Sequence, residues 1–314
     1  SITGNATFGR SQLENLTKLI SFSFELNDSK QNKERTVLFE DNCFSGTNNL
    51  RDFNITISKN NSKSCNQKCI SILTLGKSCF SGLKNMTNLI FPFEKITIGD
   101  NCFLNNSIRS ISFPNATEFT AGTCSFKGCT SLHDFSIPLA SSITFGDSCF
   151  SGSQSISNIE FKCQSLTLGT KCFENCTSYQ IFNFTIHENV KQQNNNKFKY
   201  NPPESSINIG DECFTGTSQL SGINIKCDKI ELGKSMVKNC PKISYVHIGS
   251  YKEVIVPTSA FEESKSLEKV ILNSQGKLEL KKGGFSNLPT LNEVTINANE
   301  VLIEDNCFNE CNSP

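Results

Sequence analysis

The stretch "CSFKGCTSLHDFSIPLASSITFGDSCF" (residues 124–150) begins at a Phe two residues in and ends on another, and its apolar residues keep fixed places between them. Counted from Phe126, Leu132, Phe135 and Ile137 stand at plus six, nine and eleven; counted back from Phe150, Ile143 and Phe145 stand at minus seven and minus five. Each pair separated by one residue alternates as a half-buried strand does, in β-branched and aromatic side chains. Leu132 closes the turn that precedes the first strand, so the stretch predicts two short strands and two turns.

The same spacing extends in both directions. Phe44, Phe80, Phe103, Phe126, Phe150, Phe173, Phe214, Val237 as a stand-in, Phe261, Phe285 and Phe308 follow at intervals of 23 or 24 residues, lengthened to 36 and 41 where insertions fall. A less regular copy is centred on Phe8, in an irregular N-terminal unit over 1–36, which gives about twelve units across 1–314. A glycine recurs four residues before the origin (Gly76, Gly99, Gly122, Gly146, Gly169, Gly210, Gly233), where a tight turn at positive φ is expected. A unit of two strands cannot bury its apolar face alone, whereas stacked neighbours create a continuous core. The expectation is a single all-β repeat solenoid, advancing about 4.8 Å per coil.

The unit resembles the BspA-type, or treponemal-type, leucine-rich repeat: Ala-Phe, Cys or Asn three residues on, Leu-x-x-Ile-x-Ile-Pro, then Ile-x-x-Ile-Gly. "SAFEESKSLEKVIL" (259–272) even carries the Ala-Phe. The resemblance implies a curved, right-handed array whose Leu-x-x-Ile-x-Ile strands line the concave face. It also implies a non-enzymatic recognition module of a bacterial or protist surface protein, in adhesion to host matrix or to other cells. The alternative is an intracellular scaffold for protein assembly.

Composition narrows the partners. Lys and Arg balance Asp and Glu at 30 each, so no basic footprint for nucleic acid exists. No apolar stretch approaches the roughly 20 residues that span a bilayer. The chain opens on serine without a signal-peptide pattern and stops at "CFNECNSP" mid-repeat, so it reads as an excised or mature segment whose anchor lies elsewhere. An open last coil is a place for self-association.

Sixteen cysteines invite a disulfide or metal reading, but fourteen keep phase with the repeat, at minus two, minus one, plus three or plus thirteen. Ala260 and Gly284 replace Cys at minus one, so that slot asks for a small buried side chain. Parallel Cβ vectors on neighbouring coils fit a disulfide poorly. Cys65 and Cys69, in "SCNQKC", lie in an insertion and are the disulfide candidates. His133, His187 and His247 fall in separate places, and no nucleophile, metal or nucleotide motif accompanies them. Neither an enzyme nor a cofactor is expected.

Ten sequons begin at Asn5, Asn15, Asn27, Asn54, Asn60, Asn85, Asn105, Asn115, Asn175 and Asn183, all in the N-terminal part of the chain, and are candidate glycosylation sites. Outward positions of the concave strands include Asn54, Glu160, Asn183, Asn224, His247 and Ile271, and a patch of Tyr245, His247, Lys269 and Ile271 is the best local anchor for a protein partner. Insertions at 25–36, 58–70 and 187–204 extend one connection and so should emerge on one rim, where Phe198 and Tyr200 offer aromatic handles. The phase also places Phe150 in the core and Ser151 outside it.

Overall fold

The computed structural model describes residues 2–3, 5–27, 34–58, 70–157, 159–185 and 204–311. Its regular elements are all strands. They are β1 (Ile2–Thr3), β2 (Ala6–Phe8), β3 (Ser21–Asn27), β4 (Glu34–Phe39), β5 (Asp52–Ile57), β6 (Ile70–Leu75), β7 (Asn88–Ile90), β8 (Lys95–Ile98), β9 (Ser110–Ser112) and β10 (Glu118–Ala121). There follow β11 (Asp134–Ser136), β12 (Ala140–Phe145), β13 (Cys163–Leu168), β14 (Ile181–Thr185), β15 (Ser206–Ile209), β16 (Gly222–Glu231), β17 (Tyr245–Val256), β18 (Lys269–Ser274), β19 (Lys277–Leu280), β20 (Glu293–Asn297) and β21 (Glu300–Ile303).

The first strands of successive units form one parallel ladder, β2-β4-β6-β8-β10-β12-β13-β15, continued by the ends of β16 and β17 and by β19 and β21. Like positions pair throughout: Leu73 with Ile96, Ile96 with Phe119, Phe119 with Ile143, Ile143 with Leu166. Identical phase on every coil lets one inward pattern serve the whole ladder. The second strands form three shorter runs: β1-β3-β5, β7-β9-β11, and β14 through the starts of β16 and β17 to β18 and β20. Between β11 and β14 the ladder shrinks to an isolated bridge, Phe161 to Phe184. In the last unit, the described residues hold the first strand alone. Complete two-strand turns therefore number fewer than the twelve units that spacing predicts, because a repeated pattern marks where a strand fits without ensuring that its ladder forms.

The origin phenylalanines stack into a column. Phe80, Phe103, Phe126, Phe150 and Phe173 are each fully buried, with successive centroids 5.3, 5.1, 5.3 and 5.1 Å apart and ring planes within 11° of parallel. That spacing is the coil rise itself, so each ring meets its copy above and below in an offset stack. Val237 interrupts the column, which resumes at Phe261 and Phe285, 5.0 Å apart.

Three expectations are corrected. Phe8 is not the origin of the first unit: Ala6 and Phe8 pair with Val37 and Phe39, the minus-seven and minus-five places of the next. The origin is Leu13, whose N–H donates to the Cys43 carbonyl at 3.0 Å as that of Phe44 donates to Cys79 at 2.9 Å. An N-terminal gap equal to the next one disguised the shift.

The recurrent glycines at minus four do not adopt positive φ. Left-handed residues instead flank the origin at minus two and plus two, as Ser148 (φ 53°) and Gly152 (φ 72°) flank Phe150. This alternation turns the N–H groups of Ser148, Phe150 and Gly152 toward Thr170, Cys172 and Glu174 of the next coil, each at 2.8 Å, adding a ladder through the turn. The minus-four glycines are required by proximity: a Cβ on Gly169 would lie 2.5 Å from the backbone of both Gly146 and Asp147.

Ser151 is not outside. It is 5% exposed, and its hydroxyl donates to Glu174 Oε2 at 3.0 Å. A left-handed residue on each side of the origin turns this side chain along the coil stack instead of outward.

Candidate recognition surface

Most of the described cysteines fall in two structural places, while Cys124 at minus two and Cys163 and Cys227 at plus thirteen stand elsewhere in the unit. Cys43, Cys79, Cys102, Cys149, Cys172 and Cys213 line the minus-one column, all fully buried and unbonded. At plus three, the thiols of Cys129, Cys176 and Cys240 donate to the carbonyls of Phe103, Phe150 and Phe214 in the preceding coil, at 3.0, 3.1 and 3.0 Å. Thr47, Asn106, Ser153 and Thr217 make the same bond from the same place. The slot therefore asks for a short donor, which the Cys, Ser, Thr and Asn exchange along the column already signalled.

Burial pushes the thiols of Cys129, Cys163, Cys227 and Cys240 up to about 12. Thiolate is the nucleophile in alkylation and exchange, so these groups are inert while the fold stands. Native protein treated with an aromatic disulfide reagent at pH 8 is expected to react at the half-exposed Cys124 and Cys311 and, among the described residues, to reveal the other thiols only in denaturant. The unfolded thiol titrates near 9.0 and the folded one higher, so folding binds the proton and stability falls as pH rises above about 9. Cys65 and Cys69 lie outside the described residues, as do Asn60, His187, Phe198 and Tyr200.

The outward row of the second sheet runs in register through Asn183, Asn224, His247, Ile271 and Thr295. Glu160 precedes the Phe161–Phe184 bridge beside Asn183 and pairs with Lys162 at 3.0 Å. Asn54 belongs to the separate β1-β3-β5 run, opposite Ser23. The sheet thus joins all these candidates except Asn54 into one strip. Asn224 Nδ2 donates to Asn183 Oδ1 at 2.8 Å and to the Tyr245 hydroxyl at 3.3 Å. Tyr245 pairs with Gly222 on one side and Lys269 on the other; a Cβ at Gly222 would run into its ring, so that glycine lets the tyrosine lie across the sheet. Lys269 Nζ meets Glu293 Oε1 at 2.7 Å, an exposed pair that fixes the lysine more than it stabilises the fold.

Two places further along the strands, Lys226, Gly249, Asn273 and Asn297 are successive register partners. Here a cleft of about 460 Å³ opens over Gly249, bounded also by His247, Tyr251 and Gln275. Asn297 Nδ2 donates to Asn273 Oδ1 at 2.9 Å, and Asn273 Nδ2 lies 3.2 Å from His247 Nε2. Lys226 Nζ sits 5.7 Å from the centroid of the Tyr251 ring. Sequence reasoning missed this cleft, although the aligned column reading Lys, Gly, Asn, Asn held the signal: a glycine among amides on a strand face.

The sequons differ in their surroundings. Asn15, Asn105 and Asn175 are left-handed and lie under Gly46, Gly128 and Gly216 of the next coil. Asn85 Nδ2 donates to the Asn48 carbonyl and Asn115 Nδ2 to that of Pro92. Asn5 and Asn27 use Oδ1, accepting from Thr36 N and Ser58 Oγ. His133 stands beside Asp134 at the start of β11, with Nε2 3.4 Å from Oδ2, in a different run from His247 of β17. Among the described residues, no three His, Cys, Asp or Glu side chains come together to hold a metal ion, and no helix is long and apolar enough to cross a membrane.

Stacked parallel coils with one continuous outward strip define a repeat module of the protein-interaction class. The model of the BspA type leucine rich repeat region matches residues 57–180 and 199–313 in six copies, and the chain belongs to that family. A leucine-rich repeat protein from Bacteroides ovatus is similar in structure at TM-score 0.51 and 18% identity, over 99% of this chain and 85% of that one. Another from Eubacterium ventriosum gives 0.45 and 13% over 98% and 82%, and the pneumococcal vaccine antigen PcpA gives 0.36 and 12% over 96% and 85%. No curated protein matches the sequence.

Proposed function

We propose that the chain is a non-enzymatic recognition module of a microbial surface protein, binding a host matrix protein or another cell's surface through the concave sheet. The carrying observation is the strip from Asn183 to Thr295, five paired strands with Tyr245 held across it by Asn224. A large, fixed aromatic beside Lys269 and Ile271 is the composition of an interface anchor. The insertion-bearing rim at 187–204, with Phe198 and Tyr200, is the second place of contact in this reading.

The test has two arms. Mass spectrometry of the protein from its native cell reads the ten sequons; glycans at Asn54 or Asn183 or at the other sites put the module outside the cell. Against a panel of immobilised matrix proteins, the Tyr245→Ala, Lys269→Ala double variant is expected to bind at least about tenfold more weakly than wild type. Bare sequons together with unaltered binding would favour the intracellular scaffold.

A further inference from the structure

Gly249 shares with Gly9, among the described glycines, freedom from both positive φ and close approach, and of the two it alone lies within a strand. It does not adopt positive φ, and a Cβ built on it would meet Lys226 Cγ at 3.7 Å and the Ile225 carbonyl at 3.9 Å, ordinary contacts. Strand geometry therefore admits any residue there, and the strand would gain from one with a side chain. What the missing side chain does create is the floor of the cleft, with Lys226 in the preceding coil and Asn273 in the following one as its walls.

The lining has a definite chemistry. Three amides, an imidazole, a phenol and one ammonium surround the floor, without a carboxylate or an aliphatic side chain among them; Ser250 and Ser274 also border it, but their hydroxyls turn inward onto the carbonyls of Asp228 and Lys252. Two of the amides are held in place. Asn273 is fixed at both ends, by Asn297 Nδ2 on its oxygen and His247 Nε2 on its nitrogen. Because Asn273 Nδ2 can only donate, His247 Nε2 accepts, and its Nδ1 carries the proton as a donor. The chain of bonds thus ends in a donor at His247 and amide oxygen at Asn297, set before any ligand arrives. Lys226 adds one positive charge against the Tyr251 ring.

We infer that this cleft is a binding site for an acidic saccharide, a sugar ring carrying one carboxylate. Paired donors and acceptors on fixed amides match vicinal hydroxyls, and Lys226 answers the carboxylate. A peptide fits less well. At the floor β16, β17 and β18 are each hydrogen-bonded on both sides, so a peptide main chain can add only at the outer edge of β20, two strands from Gly249. A single lysine in a chain of zero net charge does not make a nucleic-acid groove. The inference stands apart from the matrix-protein reading, which rests on Tyr245 and Lys269.

The experiment is titration calorimetry with the full chain and two matched pairs of probes: a hyaluronan hexasaccharide against chitohexaose, and sialyllactose against lactose. One acidic probe is expected to bind saturably, its neutral partner at least about tenfold more weakly, and the responding pair tells a uronate from a sialic acid. Gly249→Val fills the floor with a strand-favouring residue; it should melt as wild type does and lose binding by more than about tenfold. Lys226→Gln should erase the preference for the acid while leaving weak binding of both members of the pair. Saturable binding by neither acid, equal binding of acid and neutral sugar, or a Gly249→Val chain that binds undiminished would each overturn the assignment.

Discussion

Replacing Phe150 by alanine is expected to cost about 3–5 kcal/mol, the range for truncating a fully buried phenylalanine. Its ring is sealed from solvent and stacks between Phe126 at 5.3 Å and Phe173 at 5.1 Å, while Phe135 lies perpendicular to it at 5.2 Å and Phe145 lies 5.0 Å away. The hole cannot close by collapse of one neighbour. The rings above and below are held at the coil rise by hydrogen bonds through the turns, so the cavity persists and the cost sits toward the upper end. Since coils contact only their neighbours, the damage should be local. Hydrogen exchange is expected to quicken first in the coils around residues 126–173, with the denaturation midpoint falling; exposed Thr120→Ala is the matched control. Equal midpoints for the two variants would refute the stacked column.

Gly169→Ala is expected to be the second most damaging change, at about 3 kcal/mol or somewhat more, the upper range for overpacking. Its added Cβ would meet backbone rather than a movable side-chain tip, 2.5 Å from Asp147 N and Gly146 C. Gly210 in turn lies over Gly169, its own Cβ position 2.5 Å from the Gly169 carbonyl carbon, so the same close approach recurs at the next junction. Two other glycines calibrate the effect. Gly152 has open space but a φ of 72°, so alanine there costs about 1–2 kcal/mol of conformational strain. Gly249 has neither constraint, and alanine there should leave the melting temperature unchanged or slightly raised. A Gly169→Ala protein that melts with Gly249→Ala would show that the coils are not in backbone contact at this column.

The contrast among these glycines marks what the amino-acid order made legible. Positions minus seven, minus five, zero, plus nine and plus eleven were readable because burial on a periodic scaffold imposes the same choice in every unit, as Ile143, Phe145, Phe150, Ile159 and Phe161 show. Glycine was visible at minus four, yet its reason was not: a close approach and a left-handed φ select the same residue, and only the coordinates separate Gly169 from Gly152. The shift of the first unit from Phe8 to Leu13 escaped because a leucine at the origin breaks the Cys-Phe signature while Phe8 counterfeits it. The candidate surface was half legible. The neighbours Asn183, Asn224, His247 and Ile271 followed from phase alone, whereas the cleft over Gly249 depends on an absent side chain and on bonds between coils some two dozen residues apart.

The glycine column carries one more implication. Because Gly99, Gly122, Gly146 and Gly169 each lie against the bare backbone of the coil before, the coils of this stretch share one kind of junction at this column. An in-frame loss or duplication of one of these copies through unequal recombination would keep that column's backbone contact at the new junction. Copy number is then a quantity that selection can adjust, and with it the length of the array, without redesigning that contact.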